Sequence, residues 1–126
     1  MKIKLFIIFV VGTVIIVGGL GYFVNKPQKG PSNLGPFAQC LKDSEAVFYG
    51  AFWCSHCQEQ KKMFGSSKDL LPYVECSNTD NTQTQICKDK KIGGYPTWTF
   101  KDGTQVSGKM ELAQLAEKTQ CVLPTQ

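Results

Sequence analysis

The stretch FYGAFWCSHCQEQ, residues 48–60, joins an apolar, aromatic run to two cysteines and a polar run of helix formers. The apolar run predicts a buried strand that ends at Trp53, and the polar run predicts a helix. Cys54 therefore lies at a predicted helix N-terminus, where unpaired N–H groups and the positive end of the helix dipole favour a thiolate. Cys57 follows one turn later. This spacing predicts a redox site with Cys54 as the attacking sulfur and Cys57 as the resolving sulfur.

His56, between the two cysteines, can place a positive charge beside Cys54 and so make the disulfide a stronger oxidant. Other kinds of site also contain a CxxC. A zinc site needs a second compact pair of ligands, and the ten residues between Cys76 and Cys87 fit a zinc knuckle poorly. A purely structural CxxC disulfide would close too small a loop to stabilise the fold much. A soft-metal site formed by Cys54, Cys57 and His56 is a further alternative.

The length and composition indicate one small domain in an oxidising compartment. The chain has 126 residues, a net charge of +4 and six cysteines. Its scattered lysines form no basic patch interleaved with aromatic residues, which argues against nucleic-acid binding. So many cysteines in a short chain are unusual in a reducing cytosol.

Residues 1–24 are expected to form a membrane anchor. The run from Leu5 to Val24 is uncharged and almost wholly apolar, and lysines lie on both sides of it. About 20 helical residues match a bilayer core of about 30 Å. A cleaved signal, which would release the domain as a secreted or periplasmic protein, is the alternative. Because the cysteines indicate an oxidising compartment, we expect a single-pass protein of the cytoplasmic membrane whose globular part is extracytoplasmic.

Residues 25–36, NKPQKGPSNLGP, are expected to form a Pro- and Gly-rich linker, and residues 37–126 a globular domain. The domain is expected to be α/β, with a small central mixed sheet flanked by helices. The expected elements are helix 37–42, strand 46–51, helix 55–64 closed by Gly65, strand 72–76, helix 82–90, strands 97–100 and 104–107 joined by a turn at 102–103, and helix 110–119.

The motif W-C-x-x-C at residues 53–57, on a strand-to-helix corner, precedes a Y-P-T segment at residues 95–97. Together these motifs resemble the thioredoxin family. In that family the proline that matches Pro96 has a cis peptide bond and packs against the active-site disulfide, and neighbouring backbone groups bind the substrate chain. The resemblance therefore implies a thioredoxin-like fold and substrate-binding roles for Tyr95 and Pro96.

Segments 48–61, 71–76, 94–98 and 115–117 are similar to one branch of that family. It is the thioredoxin-like domain that accompanies vitamin K epoxide reductase homologues and is often fused to them. There the membrane enzyme reoxidises the domain and passes electrons to a quinone, and the domain oxidises exported proteins. The resemblance thus implies two partners, which are cysteine-containing exported proteins and a separate quinone-linked membrane enzyme that generates disulfides. Phe48 matches a buried acid of thioredoxin itself, and its apolar nature favours oxidation over reduction.

The other four cysteines are expected to form structural disulfides. The narrower branch often has an extra pair that matches Cys76 and Cys87, so the resemblance implies a bridge between them. A second redox pair at these positions is the alternative. Elimination then pairs Cys40 with Cys121, which would join the two ends of the domain, although four cysteines allow three connectivities.

The sequence therefore predicts a membrane-tethered thiol–disulfide oxidoreductase that oxidises exported proteins, with Trp53 shielding the site. This chemistry requires no bound cofactor or metal. One alternative is a disulfide reductase or isomerase supplied by a membrane electron donor. Another is a non-catalytic binding module that uses the fold as a scaffold.

Overall fold

A computed structural model of the protein describes residues 33–124 and Ile3. The expected anchor, apart from Ile3, and residues 25–32 of the expected linker lie outside the described residues. Within the described part of the chain, no helix is both long enough and apolar enough to cross a membrane.

Between residues 33 and 124 the chain forms four α-helices, one 3₁₀ helix and four strands. In chain order they are α1 (Gly35–Asp43), β1 (Val47–Gly50), α2 (Ser55–Met63), the 3₁₀ helix (Gly65–Leu70), β2 (Tyr73–Glu75), α3 (Gln85–Asp89), β3 (Thr97–Thr99), β4 (Gln105–Ser107) and α4 (Leu112–Thr119).

The four strands form one mixed sheet in the order β2-β1-β3-β4. β1 pairs in parallel with β2, and α2 lies in the crossover between them, as parallel neighbours require. β3 runs antiparallel to both β1 and β4, and its connection to β4 is the tight turn expected at residues 102–103. In this register Phe48 lies between Tyr73 and Trp98 on the two neighbouring strands. The architecture fits a thioredoxin-like fold.

Helices cover both faces of the sheet. One face packs against α1, α2 and α4, and here Phe48 stacks on Trp98 with their ring centroids 5.0 Å apart. The opposite face carries a smaller cluster under α3. The largest buried side chains of the first face are Leu34, Phe37, Leu41, Phe48, Phe64, Trp98 and Leu115. The core residues of the second face are Tyr49, Cys76, Cys87 and Ile92.

Several expected bounds were wrong by a few residues. α1 begins at Gly35 because Pro36 suits the first turn of a helix, and Leu34 before it is buried. The expected closure of α2 by Gly65 is confirmed, since Gly65 follows the cap residue directly and has a left-handed φ. α2 ends at Met63 with Phe64 as its cap, and Gly65, at φ 53°, begins a 3₁₀ helix that the sequence did not predict.

The helix expected at residues 82–90 is shorter in the structure and begins at Gln85. The Asp80 carboxylate accepts hydrogen bonds from the backbone N–H and the hydroxyl of Thr82, which holds the chain in a turn instead of a helix. The last helix begins at Leu112, two residues later than expected, where Glu111 and Gln114 form a capping box.

Gln60 is a polar residue of α2 that is fully buried. Its Oε1 accepts hydrogen bonds from the backbone N–H of Met110 at 2.8 Å and from Nε1 of Trp98 at 3.2 Å. Its Nε2 donates to the carbonyl of Met110 at 3.0 Å. Gln60 therefore joins the cysteine-bearing helix to the central sheet and to the segment before α4.

Replacing Gln60 with alanine is expected to lower the free energy of unfolding by about 2–4 kcal/mol, because it leaves buried polar groups unpaired and opens a cavity. Urea unfolding followed by tryptophan fluorescence measures this loss. Gln39→Ala is the matched control, since its amide makes an exposed hydrogen bond to Asp43 and its loss should cost no more than about 0.5 kcal/mol. Equal losses in the two variants would contradict the role of Gln60.

Candidate active site

The corner between β1 and α2 holds the two CxxC cysteines. Cys54 has extended backbone angles and is the N-cap residue of α2, and its N–H donates to the carbonyl of Ala51 at 3.0 Å. Its Sγ accepts a hydrogen bond from the backbone N–H of Cys57 at 3.2 Å. The expected strand-to-helix corner is thus confirmed, and the Cys54 sulfur lies at the helix N-terminus.

Both cysteines of the corner are reduced in the structure. Cys54 is 7% exposed, whereas Cys57 is fully buried among the core side chains of the sheet face that α2 covers. A substrate sulfur can therefore approach Cys54 more readily than Cys57. This difference in exposure fits the roles of Cys54 as the attacking sulfur and Cys57 as the resolving sulfur.

Burial first, and then the contact with the Cys54 sulfur, raise the pKa of the Cys57 thiol to about 12, although the backbone of Ala51 and the charge of Lys61 oppose the rise. At pH 7 a thiol with this pKa is ionised in only about one molecule in 10⁵. Cys57 is thus a neutral thiol in the reduced site and must lose a proton before its sulfur can attack.

The protein with Cys54 and Cys57 reduced is expected to lose stability in alkaline solution. The folded-state pKa of Cys57 lies above its unfolded value of 9.0, so the stabilisation is fully present below pH 9 and is lost as the pH rises toward 12. By pH 10.5 the loss should reach about 2 kcal/mol.

Urea unfolding of the reduced protein between pH 7 and pH 10.5 measures this loss. Reduced Cys57→Ser is the control and should show a smaller decline, since it lacks the titrating group. Parallel pH profiles for the two proteins would show that Cys57 is not the group responsible.

The turn before Cys54 is fastened to the segment after β2. Nε1 of Trp53 donates to the hydroxyl of Ser77 at 2.8 Å, and the N–H of Phe52 donates to Oε1 of Glu75 at 3.1 Å. The same carboxylate oxygen accepts the N–H of Ser77 at 3.0 Å. The Trp53 ring is held by this bond while 53% of its surface remains exposed, so it can contact a substrate beside Cys54.

Tyr95 and Pro96 lie next to this turn. The Tyr95–Pro96 peptide bond is cis, as the resemblance implied, and Pro96 is fully buried. The Tyr95 ring meets Trp53 edge to face, with their centroids 5.8 Å apart, and packs against the core cluster that contains Cys54 and Cys57. The structure thus brings together the residues that the sequence analysis assigned to substrate binding.

His56 is exposed on α2, and its side chain lies beside Glu59, one turn later in the helix. Its Nδ1 lies 3.5 Å from Oε2 of Glu59, which also pairs with Lys109 at 3.3 Å. Lys109 first, and then His56, lower the pKa of the Glu59 carboxyl. The effect of His56 on the redox potential stays a prediction.

In the part of the chain that the structure describes, no group of three or more His, Cys, Asp and Glu side chains could hold a metal.

The other four cysteines form two disulfides, with the pairing expected from the sequence. Cys40 bonds to Cys121, 81 positions later in the chain, and joins the last turn of α1 to the segment after α4. Cys76 bonds to Cys87 in α3, and both are fully buried. Cys76 lies between Glu75 and Ser77, the two residues that are hydrogen-bonded to the turn before Cys54. The Cys76–Cys87 disulfide therefore constrains the segment that holds this turn.

No protein-family model matches the chain. It is 49% identical over 87 residues to the thiol-disulfide oxidoreductase LTO1 of Arabidopsis thaliana, a match that covers 65% of this chain and 23% of that relative. This match and the mixed four-stranded sheet both support a thioredoxin-like domain. A second relative is the thioredoxin domain-containing protein 5 homolog of Drosophila melanogaster, 32% identical over 109 residues, which covers 73% of this chain and 26% of that relative.

This chain spans about a quarter of the length of these curated relatives. The first relative is named a thiol–disulfide oxidoreductase, and thiol–disulfide exchange is a reaction that a CxxC corner can carry out. The neutral, buried sulfur and the more accessible sulfur at the helix N-terminus are the two parts that this exchange reaction needs.

Sequence reasoning did not identify the residues behind Cys57 in this thioredoxin-like domain. A Cβ placed on Gly50 would lie 2.8 Å from Cε2 of Tyr73 and 3.0 Å from Sγ of Cys57, so these two side chains meet over Gly50. The Tyr73 hydroxyl donates to Oε2 of Glu75 at 2.7 Å, and Lys61 Nζ lies 3.5 Å from the centre of the Tyr73 ring. The period-2 pattern of the strand could have placed Tyr73 and Glu75 on one face.

Proposed function

We propose that the chain is a membrane-tethered, extracytoplasmic thiol–disulfide oxidoreductase that oxidises cysteines of exported proteins. The observation that carries this proposal is the corner itself. The more exposed Cys54 sulfur accepts a backbone hydrogen bond at the start of α2, and the buried Cys57 lies one turn behind it. Exchange through a mixed disulfide on Cys54 is the reaction that this arrangement supports best.

In the oxidising direction the reaction has two steps. A substrate thiolate attacks Cys54 of the Cys54–Cys57 disulfide, a mixed disulfide forms, and Cys57 leaves and takes up a proton. A second substrate thiolate then attacks the substrate sulfur of the mixed disulfide and releases Cys54. The substrate gains a disulfide and loses two electrons, and the site gains two thiols.

Two features of the site favour oxidation of substrates over their reduction. The reduced Cys54 sulfur accepts the N–H of Cys57, and a hydrogen bond to a thiolate stabilises the reduced state more than the disulfide. Phe48, stacked on Trp98, takes the position of the buried acid in thioredoxin, so the acid that assists substrate reduction there is absent from this position. The hydrogen bond makes the disulfide a stronger oxidant, and the missing acid removes assistance to substrate reduction.

The proposed location and partner rest on the sequence. Residues 1–24 would anchor the chain and residues 25–33, which precede the buried Leu34, would hold the domain off the membrane. The two disulfides in the structure suit an oxidising compartment. The resemblance to the domain that accompanies vitamin K epoxide reductase homologues favours a membrane protein of that kind as the enzyme that reoxidises Cys54 and Cys57.

The reduction potential of the Cys54–Cys57 pair tests this proposal. The full chain is equilibrated in glutathione buffers and the reduced fraction is read from tryptophan fluorescence or alkylation, with Cys57→Ala as a control that cannot form the disulfide. We expect a potential between about −120 and −200 mV, the range of oxidants and isomerases. A potential near −270 mV, as in thioredoxin, would overturn the oxidase assignment and favour a reductase supplied across the membrane.

A further inference from the structure

We propose that Tyr73 and Glu75 form a relay that carries away the proton that Cys57 loses when the reduced site is oxidised. This inference rests on thiol–disulfide exchange at Cys54 and Cys57, and it holds for either direction of electron flow in the cell. It assigns a positioning and proton-transfer role to two residues of β2 that lie outside the CxxC motif.

The need for a relay follows from the burial of Cys57. Its side chain is fully buried, so water and hydroxide reach its proton only slowly. The same burial raises its pKa to about 12, and the sulfur attacks only as a thiolate. A nearby group that accepts the proton during the attack removes this obstacle.

Tyr73 is positioned to be that group because Gly50 leaves room for it. A Cβ on Gly50 would lie 3.0 Å from the Cys57 sulfur and 3.3 Å from the Tyr73 hydroxyl oxygen, so the thiol and the phenol border the same small space. Any larger residue at position 50 would fill it. The Tyr73 hydroxyl, which borders this space, is hydrogen-bonded to the carboxylate of Glu75.

Glu75 completes the relay. Its Oε2 accepts the Tyr73 hydroxyl at 2.7 Å, while its Oε1 is held by the backbone N–H groups of Phe52 and Ser77. The carboxylate is therefore fixed in place and also partly exposed, so it can pass a proton to solvent. The hydrogen bond to Glu75 and burial raise the pKa of Tyr73 above its ordinary range, which keeps the phenol protonated between transfers.

Lys61 places a positive charge beside Tyr73 and Cys57. Its Nζ lies 3.5 Å from the centre of the Tyr73 ring, and its charge favours the Cys57 thiolate. A surface cavity of about 490 Å³ is lined in part by Lys61 and Tyr73, so this side of the relay is open to solvent. The groups with charge or protons to exchange around Cys57 are thus Cys54 and Lys61 on α2 and Tyr73 and Glu75 on β2.

The relay acts when a mixed disulfide on Cys54 is resolved. A disulfide compound has reacted with Cys54 and left a mixed disulfide there. The Cys57 thiol passes its proton to the Tyr73 oxygen as Tyr73 passes its own proton to Glu75. The Cys57 sulfur then bonds to the Cys54 sulfur, and the bond between Cys54 and the bound sulfur breaks. The released thiolate takes a proton from solvent, and Glu75 returns its proton to solvent.

Oxidised glutathione is the probe for the test, with the full chain as the protein. The reduced protein is mixed with the probe, quenched in acid at intervals, and the mixed disulfide on Cys54 is followed by mass spectrometry between pH 6 and pH 10. The variants are Tyr73→Phe, which keeps the ring packed against Phe48, and Glu75→Gln, which keeps an oxygen to accept the N–H groups. Tyr49→Phe is the matched control, because Tyr49 is a buried tyrosine on the opposite face of the sheet.

In Tyr73→Phe and Glu75→Gln we expect the mixed disulfide to form at the rate of the unaltered protein. Its resolution by Cys57 should be about 10–100-fold slower at pH 7, the scale of general acid–base assistance, and should approach the original rate by pH 10 as hydroxide replaces the relay. Tyr49→Phe should resolve at the original rate at every pH.

Two outcomes would overturn the relay while leaving the exchange activity intact. One is resolution at the original rate in Tyr73→Phe, and the other is a slowing that is the same at all pH values, which indicates a structural role. Failure of the unaltered protein to form any mixed disulfide on Cys54 would instead refute the exchange activity itself.

Discussion

Replacing Cys54 with serine is expected to abolish thiol–disulfide exchange, with a fall in rate of roughly 10³-fold or more, the scale of losing a nucleophile in covalent catalysis. Cys54 carries the more accessible of the two sulfurs, at the start of α2, whereas Cys57 is fully buried. A serine hydroxyl at position 54 neither ionises near pH 7 nor forms a mixed disulfide. Oxidation of a dithiol peptide by the protein measures the loss.

Cys57→Ser should behave differently, because the attacking sulfur remains. We expect this variant to form a mixed disulfide with the peptide and to keep it, since no second sulfur resolves the bond. Mass spectrometry after digestion identifies the cysteine that carries the peptide. The double variant Cys76→Ala/Cys87→Ala tests whether the other buried pair takes part, and it should retain the exchange reaction. Trapping on any cysteine other than Cys54 would contradict the assignment of roles.

Removing the Cys40–Cys121 disulfide should cause the largest loss of stability. The bridge closes a loop between residues 81 positions apart, and a loop of this size stabilises a fold by about 4.5 kcal/mol in the chain-entropy model. Cys40 also lies in α1, which contributes Phe37 and Leu41 to the main core. The double variant Cys40→Ala/Cys121→Ala should therefore unfold at a much lower urea concentration.

Cys76→Ala/Cys87→Ala is the matched comparison for this measurement. Its bridge spans only 11 positions, which corresponds to about 3 kcal/mol in the same model. Urea unfolding of the two double variants and the unaltered protein gives both losses. A larger loss in Cys76→Ala/Cys87→Ala would show that local packing around α3 outweighs the length of the closed loop.

The order of elements and the corner could be predicted from the sequence because local signals agree there. The apolar run at 48–52 indicates a buried strand, and the CxxC opens a run of helix formers. Regions where tertiary contacts decide the structure were predicted less well. The 3₁₀ helix Gly65–Leu70 has no periodic pattern of its own, and the turn held by Asp80 replaced a full turn of the helix expected at 82–90.

The side chains behind the site depend on strand register, which a single sequence does not specify. Tyr73 and Cys57 border the same space because β2 pairs with β1 so that Tyr73 lies beside Phe48, and because Gly50 has no side chain. Gln60 could not be identified as a core residue for a similar reason. A glutamine in a polar helix face suggests exposure, and its partners Trp98 and Met110 lie far away in the chain.

The Cys40–Cys121 bridge also determines how the domain responds to mechanical force. A pull applied before Cys40 and after Cys121 passes from one sulfur to the other, so the four-stranded sheet between them carries no load. A motor that unfolds proteins by drawing one end through a narrow pore would meet a closed covalent loop. The pore would have to admit two segments of the chain side by side, or the motor would stall until the Cys40–Cys121 disulfide is reduced. The domain is therefore built to resist extraction for as long as its surroundings stay oxidising.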